Sequence, residues 1–410
     1  MGGGKIGKIP VRIRKMKKLI FLILMLLIFF YCRPKQEKVE RYMEDGVEVI
    51  VNHLEPYKIK GEPGSLHLEE EFIIDFEGDD IAEIGMVSIA GFDVDSEGNI
   101  YFWSYSSSED FIYKFDIKGK FTSSFGHQGQ GPGEFQRLFH LMINEKDEIV
   151  ASDPGKKKII VLKTNGNLIR EIPIAPNHGM TTLLENENIL AMKSVFNPEG
   201  GFTETPIVIC NKDLEDIKML HKGQKIPNWI RAKKINGLHT SPNHFPWSIS
   251  RRHIYVGNEE KGYEILVYDF EGTLLKKIRK KYSPVEVPQR IKEKVFKVFD
   301  NHPVAKQINI RDKFYFPDNM PPFQYFFTDN VGRLYVMTYE KGEKPKEYIY
   351  DIFSQEGFFI TGTSLDNSGD TTIAIWGGPF EIRAKNNRLY CLREKESGYK
   401  ELVVYKMRWE

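Results

Sequence analysis

The stretch Gly91–Gln136 (GFDVDSEGNIYFWSYSSSEDFIYKFDIKGKFTSSFGHQGQGPGEFQ) constrains the fold most. Phe92–Asp95 alternates apolar and acidic residues, Ser96-Glu97-Gly98-Asn99 is a turn with Gly98 free to take positive φ, and Ile100–Trp103 is β-rich. Phe111–Asp116 is a third strand, Lys118-Gly119-Lys120 a second turn, and Phe121–Phe125 a fourth strand. Four short antiparallel strands joined by tight turns cannot bury both faces by themselves, so the unit demands neighbours of its own kind.

Weaker copies follow to the C-terminus. Leu141–Ile172 is the second, with its outer turn at Asn165-Gly166. The third uses Leu183–Leu190 and Pro206–Ile209, and the fourth Trp247–Val256, Glu264–Asp269 and Thr273–Ile278. The fifth runs from Tyr325 to Ile360 and the sixth from Phe380 to Tyr405. The strands after the inner turns begin at Ile100, Ile149, Ile189, Ile254, Leu334 and Leu389, at spacings of 49, 40, 65, 80 and 55 residues. The shorter spacings suit a propeller period, and the longer ones carry insertions. Six copies predict an all-β, six-bladed β-propeller. The sixth copy lacks an outermost strand, which Leu66–Phe76 (LHLEEEFIIDF) would supply, so the expected ring is closed by an N-terminal strand joining the last blade.

The Gly-Gln-Gly-Pro-Gly-Glu-Phe run at 129–135, after the Ile112-Tyr113-Lys114-Phe115-Asp116 strand and Gly119-Lys120, resembles the bacterial six-bladed β-propeller lipoproteins related to NHL-repeat proteins. The resemblance covers about residues 45–410 and is strongest over 91–172. It implies a fold and a cell-envelope address, and it brings no settled activity and no catalytic residues.

The N-terminus carries its own message. Residues 1–31 hold seven Lys/Arg and no acid, leaving 51 bases against 57 acids in the remainder, a net −6. A mildly acidic body argues against a nucleic-acid partner. Lys5–Lys18 is a basic region and Leu19–Tyr31 is thirteen uninterrupted apolar residues, short of the ~20 a spanning helix needs. Met16 offers an alternative start to Met1. Cys32 follows at once, as in a lipoprotein signal, although Phe29-Phe30-Tyr31 departs from the small residues preferred there. Lipidation at Cys32, an uncleaved N-terminal anchor and plain secretion are the three readings, and none is cytosolic. The expected division is a signal peptide or anchor at 1–31, a tether at 32–46 and the propeller at 47–410.

Motifs for chemistry are sparse. Asp93-x-Asp95-x-Glu97-Gly98 has the start of a calcium loop, but Ser104 stands where the bidentate carboxylate belongs, so a hairpin turn is the better reading. The glycine run lacks the Gly-Lys-Ser/Thr ending of a phosphate loop, and Pro132-Gly133 fits a type II turn in a rigid inter-blade connection. Glu134 and Arg137 flank it and read as salt-bridged structural residues, the alternative being that they face the central channel. Cys210 and Cys391 end β-rich runs and read as small buried hydrophobes.

Two insertions stand out. Val285–Val304 predicts an amphipathic helix after Pro288, with Ile291, Val295, Phe296 and Phe299 at helical spacing. Lys222–Pro246 is basic and holds Trp229, Arg231, His239 and His244, with Trp247 beside it. Aromatics next to bases make these five the candidate ligand-binding residues, for an anionic or carbohydrate-like ligand. His239 and His244 lack a third partner, so no metal and no cofactor is assigned. The reading is a non-catalytic binding or scaffolding module of the cell envelope, its partners a membrane through the N-terminus and a small ligand or envelope protein. The alternatives are an NHL-type propeller enzyme with a metal or acid–base site in the central channel, and a subunit of a larger envelope assembly.

Overall fold

The computed structural model describes, besides Gly2, residues 39–410 apart from 87, 105–109, 224, 229–233, 237–246, 251–252, 301–308, 310, 345 and 367–381. Six antiparallel sheets follow one another along the chain. Gly91–Val94, Ile100–Trp103, Asp110–Phe115 and Phe121–His127 make the first blade, and His140–Ile143, Glu148–Asp153, Lys158–Lys163 and Leu168–Pro173 the second. His178–Leu183, Ile189–Lys193, Ile207–Cys210 and Asp216–His221 form the third. The fourth contains Trp247–Ser250, His253–Gly257, Glu264–Tyr268 and Leu274–Lys280, and the fifth Tyr325–Thr328, Leu334–Lys341, Glu347–Phe353 and Phe359–Asp366. In the sixth, Ile382–Lys385, Arg388–Glu394 and Lys400–Trp409 are joined by Leu66–Asp75, which pairs antiparallel with the last strand from Leu66↔Trp409 to Asp75↔Glu401.

One turn chemistry builds these sheets. In the hairpins at Asp95, Asp116, Asn144, Asn211, Asp269 and Asp329, the side-chain Oδ1 accepts the backbone N–H groups two and four residues on. The residue three on takes positive φ, as Gly98 does at +89°. This is a type I turn closed by a left-handed residue, the favoured three-residue hairpin loop. Asp95 is used completely: its second oxygen takes Asn99 Nδ2 at 2.8 Å and the Tyr101 hydroxyl at 2.9 Å. The segment is thus the turn that the sequence suggested. Gly119 shows why glycine is needed, because a Cβ at its φ of +80° would lie 2.8 Å from the Phe72 ring of the sixth blade's outer strand.

Apolar side chains fill every seam between neighbouring sheets. Phe92, Phe102 and Phe115 meet Tyr390 and Leu402 between the sixth and first blades. Leu190, Ile207 and Leu220 meet Trp247, Ile254 and Tyr268 between the third and fourth. Tyr335, Tyr350 and Ile352 meet Ile382 and Leu389 between the fifth and sixth. Each fully buried aliphatic or aromatic side chain contributes about 1.5–3 kcal/mol, so the interior lies between blades rather than within any one. Cys210 and Cys391 are buried in these seams, in the places of small apolar residues.

The chain divides into Met1–Lys38 and Val39–Glu410. The expected tether at 32–46 is therefore too long at its C-terminal end. Val39–Glu44 is a strand, paired antiparallel with Val47–Asn52, and the latter runs parallel to Leu274–Lys280. The alternating Val47-Glu48-Val49-Ile50 buries Val49 and Ile50 against the fourth blade, which becomes six-stranded. Asn52, 1% exposed, fastens this hairpin: Nδ2 donates to Arg279 O at 3.1 Å and Gly357 O at 2.9 Å, and Oδ1 accepts from Phe359 N at 2.8 Å.

The glycine run is a fixed connection between the first and second blades. Glu134 N–H donates to Gly131 O at 3.2 Å around Gly133, whose φ is +75°, as a type II turn requires. The N–H groups of Gly131 and Gly133 donate to the carboxylates of Glu134 and Glu171. Lys156, its side chain 6% exposed, donates to the carbonyls of Gly131 and Glu134. Arg137 is exposed at the surface. The expected helix spans Gln289–Asp300. Ile291 and Val295 are buried, Ile291 against Met320 and Tyr339, and Phe296 lies edge-on to Phe314 and Phe316. The Phe299 side chain lies outside the described residues.

Candidate binding site

The innermost strands of all six blades line one cavity of about 170 Å³. Its wall takes Asp93 from the first blade, His140, Met142 and Ile143 from the second and Met180 from the third. Trp247–Ser250 of the fourth blade, Phe326–Thr328 of the fifth and Arg383–Lys385 of the sixth complete it. Only a ring brings these residues together, since no two blades contribute adjacent sequence.

The strands give the cavity a direction. The first-to-second turn of each blade, and the third-to-fourth turn of the first five, lie on one side of the ring, here called the hairpin face. Glu145 and Asn330, from hairpin turns, are exposed there, with half-buried Lys385 at the strand end beside them. At the opposite ends of the same strands, Trp247, His140, Met180 and Phe326 are 3–6% exposed. The cavity is a funnel with a polar lip and a buried apolar floor.

Its electrostatics follow from who is already engaged. Asp93 Oδ2 accepts from Ile143 N at 2.8 Å, and Oδ1 from Val94 N at 2.9 Å while facing Arg383 Nε at 3.5 Å. Asp329 spends its oxygens on its own turn, the Tyr335 hydroxyl and Arg333, and burial pushes its pKa up. Arg383 lies 5.8 Å over the Phe92 ring, and Lys385 Nζ donates to Val94 O at 2.7 Å. Two cations thus stand on one wall, Arg383 ion-paired with Asp93 and donating to Ile382 O at 2.8 Å, Lys385 bonded to Val94 O. The fourth and fifth blades add hydroxyls to the same lining: Ser248 Oγ with Thr328 Oγ1 at 3.4 Å, and Ser250 Oγ donating to Asp329 O at 3.3 Å. His140 is buried, edge-on to Trp103, and burial together with the charge of Arg383 pushes its pKa down to about 3. It is a neutral imidazole at physiological pH.

The lip is held by a chain of contacts between blades. Asn386 Nδ2 donates to Ser96 O at 3.0 Å, and Ser96 N donates to Asp147 Oδ1 at 2.8 Å. The turns of the sixth, first and second blades are joined in that order.

Of the five ligand-binding candidates, Trp247 lies in this cavity, as a floor residue packed into the core. Trp229, Arg231, His239 and His244 fall outside the described residues. Sequence reasoning missed Asp93 as a cavity residue, and also His140, Ser248, Ser250, Thr328, Arg383 and Lys385. The available signal was positional: each sits on the strand preceding an inner hairpin turn. Among the described residues, no three His, Cys, Asp or Glu side chains gather as a metal site.

Residues 83–220 match the model of a family described as 6-bladed beta-propeller. Two solved structures are similar. One is an inferred exported protein from Bacteroides fragilis, 11% identical over 88% of this chain and 99% of that one, with a TM-score of 0.50. The other is a member of the DUF4221 family from Bacteroides vulgatus, 11% identical over 85% of this chain and 100% of that one, also with a TM-score of 0.50. No curated protein matches the chain.

Proposed function

We propose that this six-bladed β-propeller is a non-catalytic binding module, exported and held at a membrane by its N-terminal segment, whose axial cavity takes a small water-soluble anion. The observation that carries the reading is that Arg383 and Lys385 line the same funnel of about 170 Å³ as the hydroxyl-bearing Ser248, Ser250 and Thr328. At roughly 30 Å³ per water, such a space holds on the order of five waters, so the solute is small. Guanidinium and ammonium groups favour carboxylate or phosphate, and the hydroxyls can donate to the same oxygens. The Ser248 and Ser250 hydroxyls bond to Thr328 and to a backbone carbonyl, an arrangement that holds oxygens in place rather than activating one.

The basic Lys5–Lys18, the apolar Leu19–Tyr31 and Cys32 support export and anchoring, and one structural neighbour is inferred to be exported. Among the described residues no helix is long and apolar enough to cross a membrane. Mass spectrometry of the native N-terminus would show an acylated Cys32 or an intact leader. A free N-terminus without lipid would remove the anchoring half of this reading.

Titration calorimetry with inorganic phosphate and malonate, against glucose as the uncharged control, tests the cavity. Either Arg383→Gln or Lys385→Gln should weaken anion binding by about tenfold or more, the worth of a charge-assisted hydrogen bond. Anion binding untouched by both variants, or equal binding of glucose, would defeat the proposal.

A further inference from the structure

The inner turns set the cavity wall in register along its depth. Each innermost strand leads into a residue that pairs across its turn. Asp95, Asn144, Leu184 and Asp329 do so by backbone bonds to Asn99, Glu148, Asn188 and Arg333, and Ser250 and Lys385 lie opposite His253 and Arg388. Contacts between blades follow this count. At the turn, Ser250 donates to Asp329 O, and two residues in from it Arg383 faces Asp93. Counted the same way, Trp247 and Phe326 stand three residues in, and His140 and Met180 four. A strand rises about 3.4 Å per residue, so an apolar floor lies roughly 3–7 Å beneath the level of Arg383.

We propose that the ligand of this cavity is a monocarboxylate with a short alkyl tail, its carboxylate at Arg383 and Lys385 and its tail on Trp247, Phe326 and Met180. The proposal rests on the reading of the cavity as an anion site and narrows it. Carbon–carbon bonds of about 1.5 Å advance a zigzag chain by roughly 1.3 Å each, so a tail of about three to five carbons covers that depth. A funnel of about 170 Å³ has room for a molecule of this size.

The floor favours a tail over a second charge. Met180 and Phe326 are 3% and 4% exposed and bring no hydrogen-bond donor. His140 beside them stays neutral at physiological pH, because burial and the charge of Arg383 keep its second proton off. Both lining cations, Arg383 and Lys385, stand nearer the lip. A carboxylate carried down to the floor would lose its water without meeting a charge, whereas methylenes lose only their contact with water.

Calorimetry at neutral pH on the full chain with acetate, butyrate and succinate tests the proposal. Butyrate should bind about tenfold tighter than acetate, because it buries two more methylenes. It should also exceed succinate, which has a carboxylate where butyrate has its methyl group. Arg383→Gln should weaken acetate and butyrate by the same factor, whereas Met180→Gln should bring the two affinities together. The series on the parent chain decides the matter even where Met180→Gln does not fold. Acetate or succinate binding as tightly as butyrate would overturn the alkyl tail and leave the anion site standing. A preference for butyrate untouched in folded Met180→Gln would overturn the placement of the tail on this floor. Should neither these anions nor phosphate bind, the anion reading beneath the proposal fails with it.

Discussion

His140 ties the cavity floor to acid stability. Its folded pKa lies at about 3 against an ordinary 6.5, so between those values the unfolded chain binds a proton that the folded chain refuses. Stability attributable to this residue is complete above 6.5 and falls as pH drops through that window, by up to a few kcal/mol. Burial lowers the pKa of His178 and His253 in the same direction, so they add to the slope. Urea unfolding midpoints of His140→Gln should fall less steeply with acidification than those of the parent. Identical slopes would mean that His140 is not held neutral. Nothing in Phe139-His140-Leu141 announces this: the histidine is buried because neighbouring blades stand against its strand.

At the scale of elements, the hairpin Val39–Asn52 is an addition to a blade that already has four strands. Its value lies in Asn52, which bridges the fourth and fifth blades. Asn52→Ala would leave the Phe359 amide and two carbonyls without this partner in a buried place. It should cost about 2–4 kcal/mol, read as a lower denaturant midpoint with unchanged m-value. A change under half a kcal/mol would show that water replaces the side chain. The sequence marked Val47–Val51 as a strand from its alternation. Val39–Glu44 was invisible because its exposed, charged residues show no apolar period, and its pairing depends on an edge found only in the folded fourth blade.

For the whole molecule, the decisive pairing joins residues more than three hundred positions apart. Leu66–Asp75 completes the sixth sheet and carries Phe72 and Ile74 against the Gly119 turn of the first blade. A chain in which Leu66–Asp75 is replaced by a Gly-Ser linker, with Val39–Asn52 kept, would lose that strand and expose both the Lys400–Trp409 edge and the seam beneath it. It should fail to give one cooperative thermal transition, where the parent gives one, and should aggregate on heating. A sharp single transition at an unchanged temperature would show that the ring does not depend on this strand.

The sequence by itself determined the repeating unit, the number of blades, the hairpin turns and the strand able to complete the sixth sheet. Those features are local: a period-2 pattern, a turn residue that bonds its own backbone, and a glycine where φ must be positive. The tertiary structure alone decided which side chains share the axial cavity and which blade the Val39–Asn52 hairpin joins. The cavity draws at most a few residues from each of six blades, and the hairpin's position depends on a parallel pairing between residues about two hundred and thirty apart in the chain. Neither leaves a spacing or a motif in the chain, because both arise only where distant strands come to lie side by side.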